Sequence, residues 1–187
     1  MHGLYATAEK KQYCTMATTS LYEGGLHSIP DSASPGLRFL KYLLPVLDSL
    51  NPEGEALALT AVMAPGATFT VNNNPPSTTE QVLPLLLVRA QRLASFGHEL
   101  HRTWDVAKPG GGRTVMYEST STTIMSEDPE LQPIAVREFN VVELVAVGQG
   151  EGGFAGFKAA GLRTYMDAGP IRMRAATLHA QAQAPQV

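Results

Sequence analysis

What most constrains this chain is an abrupt change of pattern after Gly97. Beyond it lie four stretches rich in β-branched and aromatic residues: ELHRTWDVA (99–107), RTVMYESTSTTIM (113–125), IAVREFNVVELVAV (134–147) and GFKAAGLRTYMDAGPI (156–171). The separators PGGG (109–112), SEDPELQP (126–133) and GQGEGG (148–153) carry the Gly, Pro and Asp that suit hairpins. Before Gly97 the period is helical. In GLRFLKYLLPVLDSL (36–50), Leu37, Leu40, Leu44 and Leu47 recur on one face after Pro35, and Pro45 is expected to kink or end the ladder. EALALTAVMAP (55–65) predicts a second helix stopping at Pro65-Gly66, ATFTV (67–71) a short strand and NNNPPS (72–77) a turn. Thr78 or Thr79 then caps a third helix through TEQVLPLLLVRAQRLASF, with Pro84 in its first turns. Helices first and long antiparallel strands after predict an α+β layout, with helices covering one face of a curved sheet.

Composition narrows the function classes. At 187 residues the chain can build one sizeable core, and 44% apolar against 17% charged residues is too apolar for a disordered chain. The net charge of −3, without any Lys/Arg cluster, argues against a nucleic-acid partner. Cys14 is the lone cysteine, so neither an internal disulfide nor a thiolate metal site is expected, which leans toward a reducing, cytoplasmic compartment. No cationic stretch with an apolar core opens the chain, and the run Val82 to Val88 falls far short of the ~20 residues that span a bilayer. A soluble protein without a membrane partner is expected. Residues 1–35 read as an N-terminal extension that packs irregularly or onto a partner, with the part before Met16 a candidate upstream addition. Residues 36–174 read as a single domain and 175–187 as a frayed, Ala/Gln-rich tail.

Strand alternation sorts the candidate residues into faces. In GLRTYMDAGP (161–170), Leu162, Thr164 and Met166 share one face, and Arg163, Tyr165 and Asp167 the other. The first set is an apolar lining suited to an organic ligand, which leaves Asp167 a structural role. Val115, Tyr117, Ser119 and Ser121 share a face, as do Val136, Glu138, Asn140 and Val142. A carboxylate and an amide amid Val and Leu are costly to bury without a purpose, and burial raises a carboxyl pKa toward the range of a general acid or base. The alternative for Glu138 is a salt bridge to Arg163 or Arg137, with Glu143 doing the same on the other face. Tyr117 is either a phenolic donor to an enolate oxygen or a cross-strand packing aromatic.

Strict alternation along ELHRTWD puts His101 with Thr103 and Asp105, and Trp104 opposite as a core residue. His101 is then the candidate proton shuttle, against the simpler role of a satisfied surface histidine. His98 lies three residues away with no clear third ligand, so no metal site is expected. Arg38 and Tyr42, spaced i,i+4, either bind substrate at the mouth of a pocket or form a solvated pair beside Lys41. Asn72 and Asn74 either orient a water or a substrate carbonyl or serve turn chemistry. GEGGF and KPGGGR lack the context of phosphate loops.

The element order, the ATFTVNNNPP corner and the closing LRTYMD together resemble the NTF2-like superfamily, and within it the SnoaL-like group, over residues 36–174. HRTWDV with VMYES resembles fungal members tied to secondary metabolism. The resemblance implies a cone-shaped, curved antiparallel sheet around a pocket, covered by three N-terminal helices. It also implies cofactor-free chemistry: an isomerase, cyclase or dehydratase (a lyase) moving a proton next to a carbonyl in an apolar polyketide- or terpenoid-derived intermediate. On that view Glu138, His101 and Tyr117 are catalytic. Arg38, Tyr42, Asn74, Ser119, Asn140, Leu162, Thr164 and Met166 bind the substrate. A homodimer is implied too, in keeping with 141–147 being apolar on both faces. Epoxide hydrolysis is not expected, because Thr164, Ser119 and Ser121 stand where epoxide-hydrolysing members carry an acid, an Arg and an Asp. The same departures favour the alternative, a non-catalytic ligand-binding or dimerisation domain.

Overall fold

The computed structural model describes residues 18–148 and 150–183; Cys14 and the candidate addition before Met16 lie outside them. In chain order the elements are β1 (Thr19–Glu23), α1 (Pro35–Asp48), α2 (Pro52–Val62), β2 (Met63–Val71), β3 (Ser77–Thr78) and α3 (Thr79–Arg92). There follow β4 (Leu93–Ala107), β5 (Arg113–Met125), β6 (Ile134–Ala146), β7 (Phe157–Met166) and α4 (Gly169–Gln183). One curved, unclosed sheet runs β1-β4-β5-β6-β7-β2-β3, and helices cover its concave side, so the class is α+β as expected. β4 to β7 form the antiparallel meander, but β2 joins β7 in parallel, which makes the sheet mixed.

Five elements depart from the expectation. Residues 19–23 form edge strand β1 on β4, and Leu26 and Ile29 are buried in the main core, so residues 19–29 are part of the fold. α1 continues through Pro45 to Asp48, because that proline is exposed and costs the helix only one internal bond. α2 ends at Val62 and β2 begins at once, absorbing Gly66 in a register shift. α3 ends at Arg92, so LASFGH belongs to β4. The Ala/Gln-rich tail forms α4, which buries Leu178 against Met125, Ile134 and Val136. Arg174 anchors it through a bidentate pair with the buried carboxylate of Asp128, its Nε 2.8 Å from Oδ2.

The main core lies between α1 and the concave face. Leu37, Phe39, Leu40, Leu43 and Leu44 turn inward at helical spacing against Val115, Val142 and Leu144. Asp105, fully buried on β4, accepts the Gly36 N–H (3.0 Å) at the start of α1 and Arg113 Nε–H (2.6 Å). A Cβ on Gly36 would lie 2.4 Å from the Asp105 carboxylate, so only glycine allows this approach. Asp48, at the other end of α1, accepts the His98 N–H at 3.0 Å. The helix is therefore tied to β4 at both ends.

Those ties depend on one irregularity. His98 and Asp105 are seven apart, and on a regular strand they would face opposite ways. The β4–β5 register passes from Leu100↔Ser119 to Arg102↔Glu118, leaving His101 as the extra residue of a bulge. Phe96, His98 and Leu100 before it, and Thr103 and Asp105 after it, consequently share the concave face.

Candidate active site

Successive cross-strand rows on the concave face build the site. His98 stands opposite Ser121, Ser119 opposite Glu138, and Tyr117, Asn140 and Thr164 form one continuous row. A cavity of about 240 Å³ opens over these rows. Its walls include Leu47, Phe69, Val71, Phe96, Val142, Leu162 and Met166, while His98, Glu138, Asn140, Tyr117, Thr164, Thr70, Arg89 and Arg163 are its polar lining residues.

His98 is the centre of the network. Its Nδ1 makes a short hydrogen bond to Asp48 Oδ1, and its Nε2 lies 3.2 Å from Glu138 Oε2. Glu138, 8% exposed, also accepts Ser121 Oγ–H on Oε1 and an Asn140 N–H at 3.5 Å on Oε2. Asn140 in turn donates to Ser119 Oγ (3.2 Å) and accepts Thr164 Oγ1–H (2.6 Å). His98, Glu138, Asn140, Ser119 and Ser121 thus all have named partners, as an apolar surrounding requires.

Charge follows from this geometry. Burial alone would lower the pKa of His98, but its hydrogen bonds and attraction to Asp48 and Glu138 outweigh burial and push it up to about 9. Burial likewise acts to raise Glu138, yet bonds from His98, Ser121 and Asn140 hold it below the usual carboxylate range. Burial, reinforced by the negative charges of Glu138 and Asp48, drives the Tyr117 phenol far up, so it remains a neutral donor. At neutral pH the cavity thus presents an imidazolium backed by Asp48, the Glu138 carboxylate and a neutral phenol, with Arg89 on its wall. An acid and a base 3.2 Å apart can exchange protons with a molecule between or beside them.

The structure gathers part of the expected set. Glu138, Tyr117, Asn140, Leu162, Thr164 and Met166 line the cavity, and Ser119 supports Asn140 from the row behind. Four residues lie elsewhere. The bulge turns His101 onto the convex face beside Trp104, where its Nε2 bonds Thr120 Oγ1 at 2.8 Å. Arg38 and Tyr42 line a separate cleft on the outside of α1. Asn74 is exposed in the turn after β2, while Asn72 takes the turn's positive φ and clamps Met166 through both amide atoms. The ion-pair partner of Glu138 is His98, not Arg163 or Arg137; Glu143 pairs with Lys108 on the convex side.

Two central residues, His98 and Asp48, are absent from the expected set. Phe96 and Leu100 flank His98 at the alternating spacing of an inward strand face, which was the available signal. Asp48 comes from a helix end 50 residues earlier and carries no such signal. Among the described residues, no group of three His, Cys, Asp or Glu side chains is arranged to hold a metal ion, and no helix is long and apolar enough to cross a membrane.

Solved structures share this architecture. An NTF2-like superfamily protein from Salmonella enterica superposes with a TM-score of 0.54 at 8% identity, covering 67% of this chain and 84% of that one. A protein described as a SnoaL-like polyketide cyclase from Jannaschia sp. CCS1 gives 0.50 at 14% identity, over 83% and 99%. The fold is SnoaL-like and NTF2-like. The BvnE pinacolase from Penicillium brevicompactum also matches, with a TM-score of 0.54 at 10% identity over 81% of this chain and all of that one. No protein-family model and no curated protein sequence matches the chain, so the likeness is one of fold.

Proposed function

We propose that this SnoaL-like chain is a cofactor-independent enzyme that moves a proton next to a carbonyl in an apolar organic substrate. The carrying observation is the Asp48–His98–Glu138 array beside a cavity whose walls are largely apolar. The Glu138 carboxylate takes the proton α to the carbonyl, and the neutral phenol of Tyr117 hydrogen-bonds the developing enolate oxygen. The His98 imidazolium gives its Nε2 proton to a β-hydroxyl, which leaves as water. Proton return from Glu138 to His98 across 3.2 Å resets the pair. Isomerisation uses the same base, with the proton delivered to a different carbon. Asp48 holds the imidazole orientation and supports its positive charge. Fold neighbours described as a polyketide cyclase and a pinacolase support reading the cavity as a reaction chamber, and polyketide- or terpenoid-derived intermediates are the substrate class that suits its lining. The reading includes a homodimer through the convex face, where Phe139 and Tyr165 are exposed.

The test is deuterium exchange. The chain is incubated in deuterium oxide with a panel of cyclic ketones and β-hydroxy ketones, and label or water loss is followed by mass spectrometry. Exchange next to the carbonyl that disappears in His98→Gln and Glu138→Gln supports the reading. Binding of panel ketones without exchange above buffer would instead make this a non-catalytic binding domain.

A further inference from the structure

The outer surface of α1 carries a second cleft, of about 430 Å³, lined by Asp31, Arg38, Lys41, Tyr42 and Phe154. It shares no lining residue with the cavity around His98. Arg38, Lys41 and Tyr42 fall on one helix face by their i,i+3 and i,i+4 spacing. Lys41 is engaged locally, its Nζ donating to Ile29 O (2.7 Å) and Asp31 Oδ1 (3.1 Å), and so it neutralises Asp31. Arg38 is different. Its Nε is buried, and no described residue hydrogen-bonds or ion-pairs with its guanidinium. A buried, unsatisfied donor on a permanent cation is costly, which points to a ligand that supplies the acceptor.

The aromatic wall of the cleft is equally deliberate. Phe154 stacks on Tyr42 with ring centroids 4.5 Å apart and planes 14° apart, yet remains 37% exposed. The loop holding it is tight: Phe154 and Phe157 exchange two backbone hydrogen bonds of 2.9 Å, and Ala155 is forced to a φ of 52°. Gly153 has a φ of 84°, and a Cβ there would meet Phe157 O at 2.2 Å. A strained turn thus fixes a large, partly exposed ring beside a guanidinium that has no partner among the described residues.

We infer that this cleft is a binding site for a planar aromatic carboxylate, separate from the His98 cavity. The carboxylate takes the Arg38 fork and the ring lies along the Tyr42–Phe154 stack. Asp31 and Lys41 cancel, so the cleft keeps one net positive charge for the anion. The volume falls in the range of small-molecule sites.

The test uses 2-naphthoate as probe and neutral 2-naphthol as its control, titrated into the isotopically labelled full chain and followed through backbone amides. Naphthoate is expected to shift the amides of Tyr42, Ala155 and Gly156 and to bind at least tenfold more tightly than naphthol. Arg38→Gln and Phe154→Ala should each weaken that binding by tenfold or more, while any shifts around Glu138 and Asn140 persist. Shifts confined to Glu138 and Asn140, equal affinity for naphthol, or wild-type affinity in either variant overturns the proposal. None of these readouts depends on catalysis.

Discussion

The two faces of the sheet are written by alternate residues of the same strands, yet they obey different electrostatics. On the concave face, Glu138, Asn140, Ser119 and Ser121 are 8% exposed or less and form one connected network with His98. On the convex face, Glu143 and Lys108, or Arg102 and Glu23, make pairs that water screens. His98 and His101 make the contrast sharpest. Three residues apart, one is held between two carboxylates beside the cavity and the other bonds a threonine hydroxyl outside. The lesson is that a single backbone irregularity, the bulge at His101, decides which histidine belongs to the chemistry.

The comparison breaks outright where a buried charge loses its partner. Asp105→Ala leaves Arg113 and the Gly36 N–H without their shared acceptor, and a loss of at least about 3 kcal/mol in urea denaturation is expected, the order of breaking a buried ion pair. Deletion of His101, by contrast, leaves His98 and Asp105 six apart, so a regular strand keeps both on the concave face opposite their present β5 neighbours. An Asp105→Ala variant with wild-type stability would show that the concave charges do not hold α1 to the sheet.

Point substitution at the two histidines separates the faces functionally. With a substrate from the exchange panel, His98→Ala is expected to cut turnover by roughly 10² to 10⁴, the range for losing a positioned acid or base. His101→Ala should leave turnover unchanged and cost under about 1 kcal/mol, that of one neutral hydrogen bond. Equal losses from the two variants would remove His98 from its assigned role.

How much of this was legible in the sequence follows from where alternation is strict. β5, β6 and β7 keep period two through their site residues, so Tyr117, Glu138, Asn140 and Thr164 could be set on one face in advance. For His98 the alternation of Phe96 and Leu100 around it was a weak signal, for two reasons. β4 begins at Leu93, in an Ala-, Ser- and Gly-containing run without β-branched residues, so the strand was expected to start after it. The bulge then reverses the parity of everything before Arg102. α4 was hidden because its Ala and Gln bury only Leu178, which leaves no amphipathic stripe to read. Edge strand β1 is five residues of mixed type, fixed by pairing with β4 and not by its own pattern.

The pH dependence of stability sharpens the contrast further. The folded-state pKa of His98 is raised from 6.5 to about 9, so its contribution is fully present below pH 6.5 and is lost as pH rises through about 9. The span of 2.5 units corresponds to something on the order of 3 kcal/mol. Glu138 is lowered, so its share is present above its unfolded value of 4.5 and is lost as pH falls through the folded pKa. Both report on the same pair and are not summed. Urea midpoints measured between pH 6 and 10 should fall with rising pH in the wild type and in His101→Gln. His98→Gln should flatten that slope, and a slope that survives in it would assign the alkaline loss to another group.

The smallest expected difference is also the most local, since it compares neighbours on one strand. Ser121 and Thr120 are adjacent on β5, and their side chains leave opposite faces of the sheet. Ser121 Oγ–H donates to the Glu138 carboxylate, whereas Thr120 Oγ1 bonds the His101 ring. A bond to a charged group in a buried site is worth about 1.5–3 kcal/mol, while a neutral one beside water is worth about 0.5–1.5 kcal/mol. Ser121→Ala should therefore destabilise the chain more than Thr120→Ala. It should also move the acid limb of the stability profile to higher pH, because Glu138 loses one of the donors that hold its pKa down. Thr120→Ala should leave that limb in place. If the two variants shift it alike, Ser121 does not support the carboxylate, and the low pKa of Glu138 must be carried by His98 and Asn140 alone.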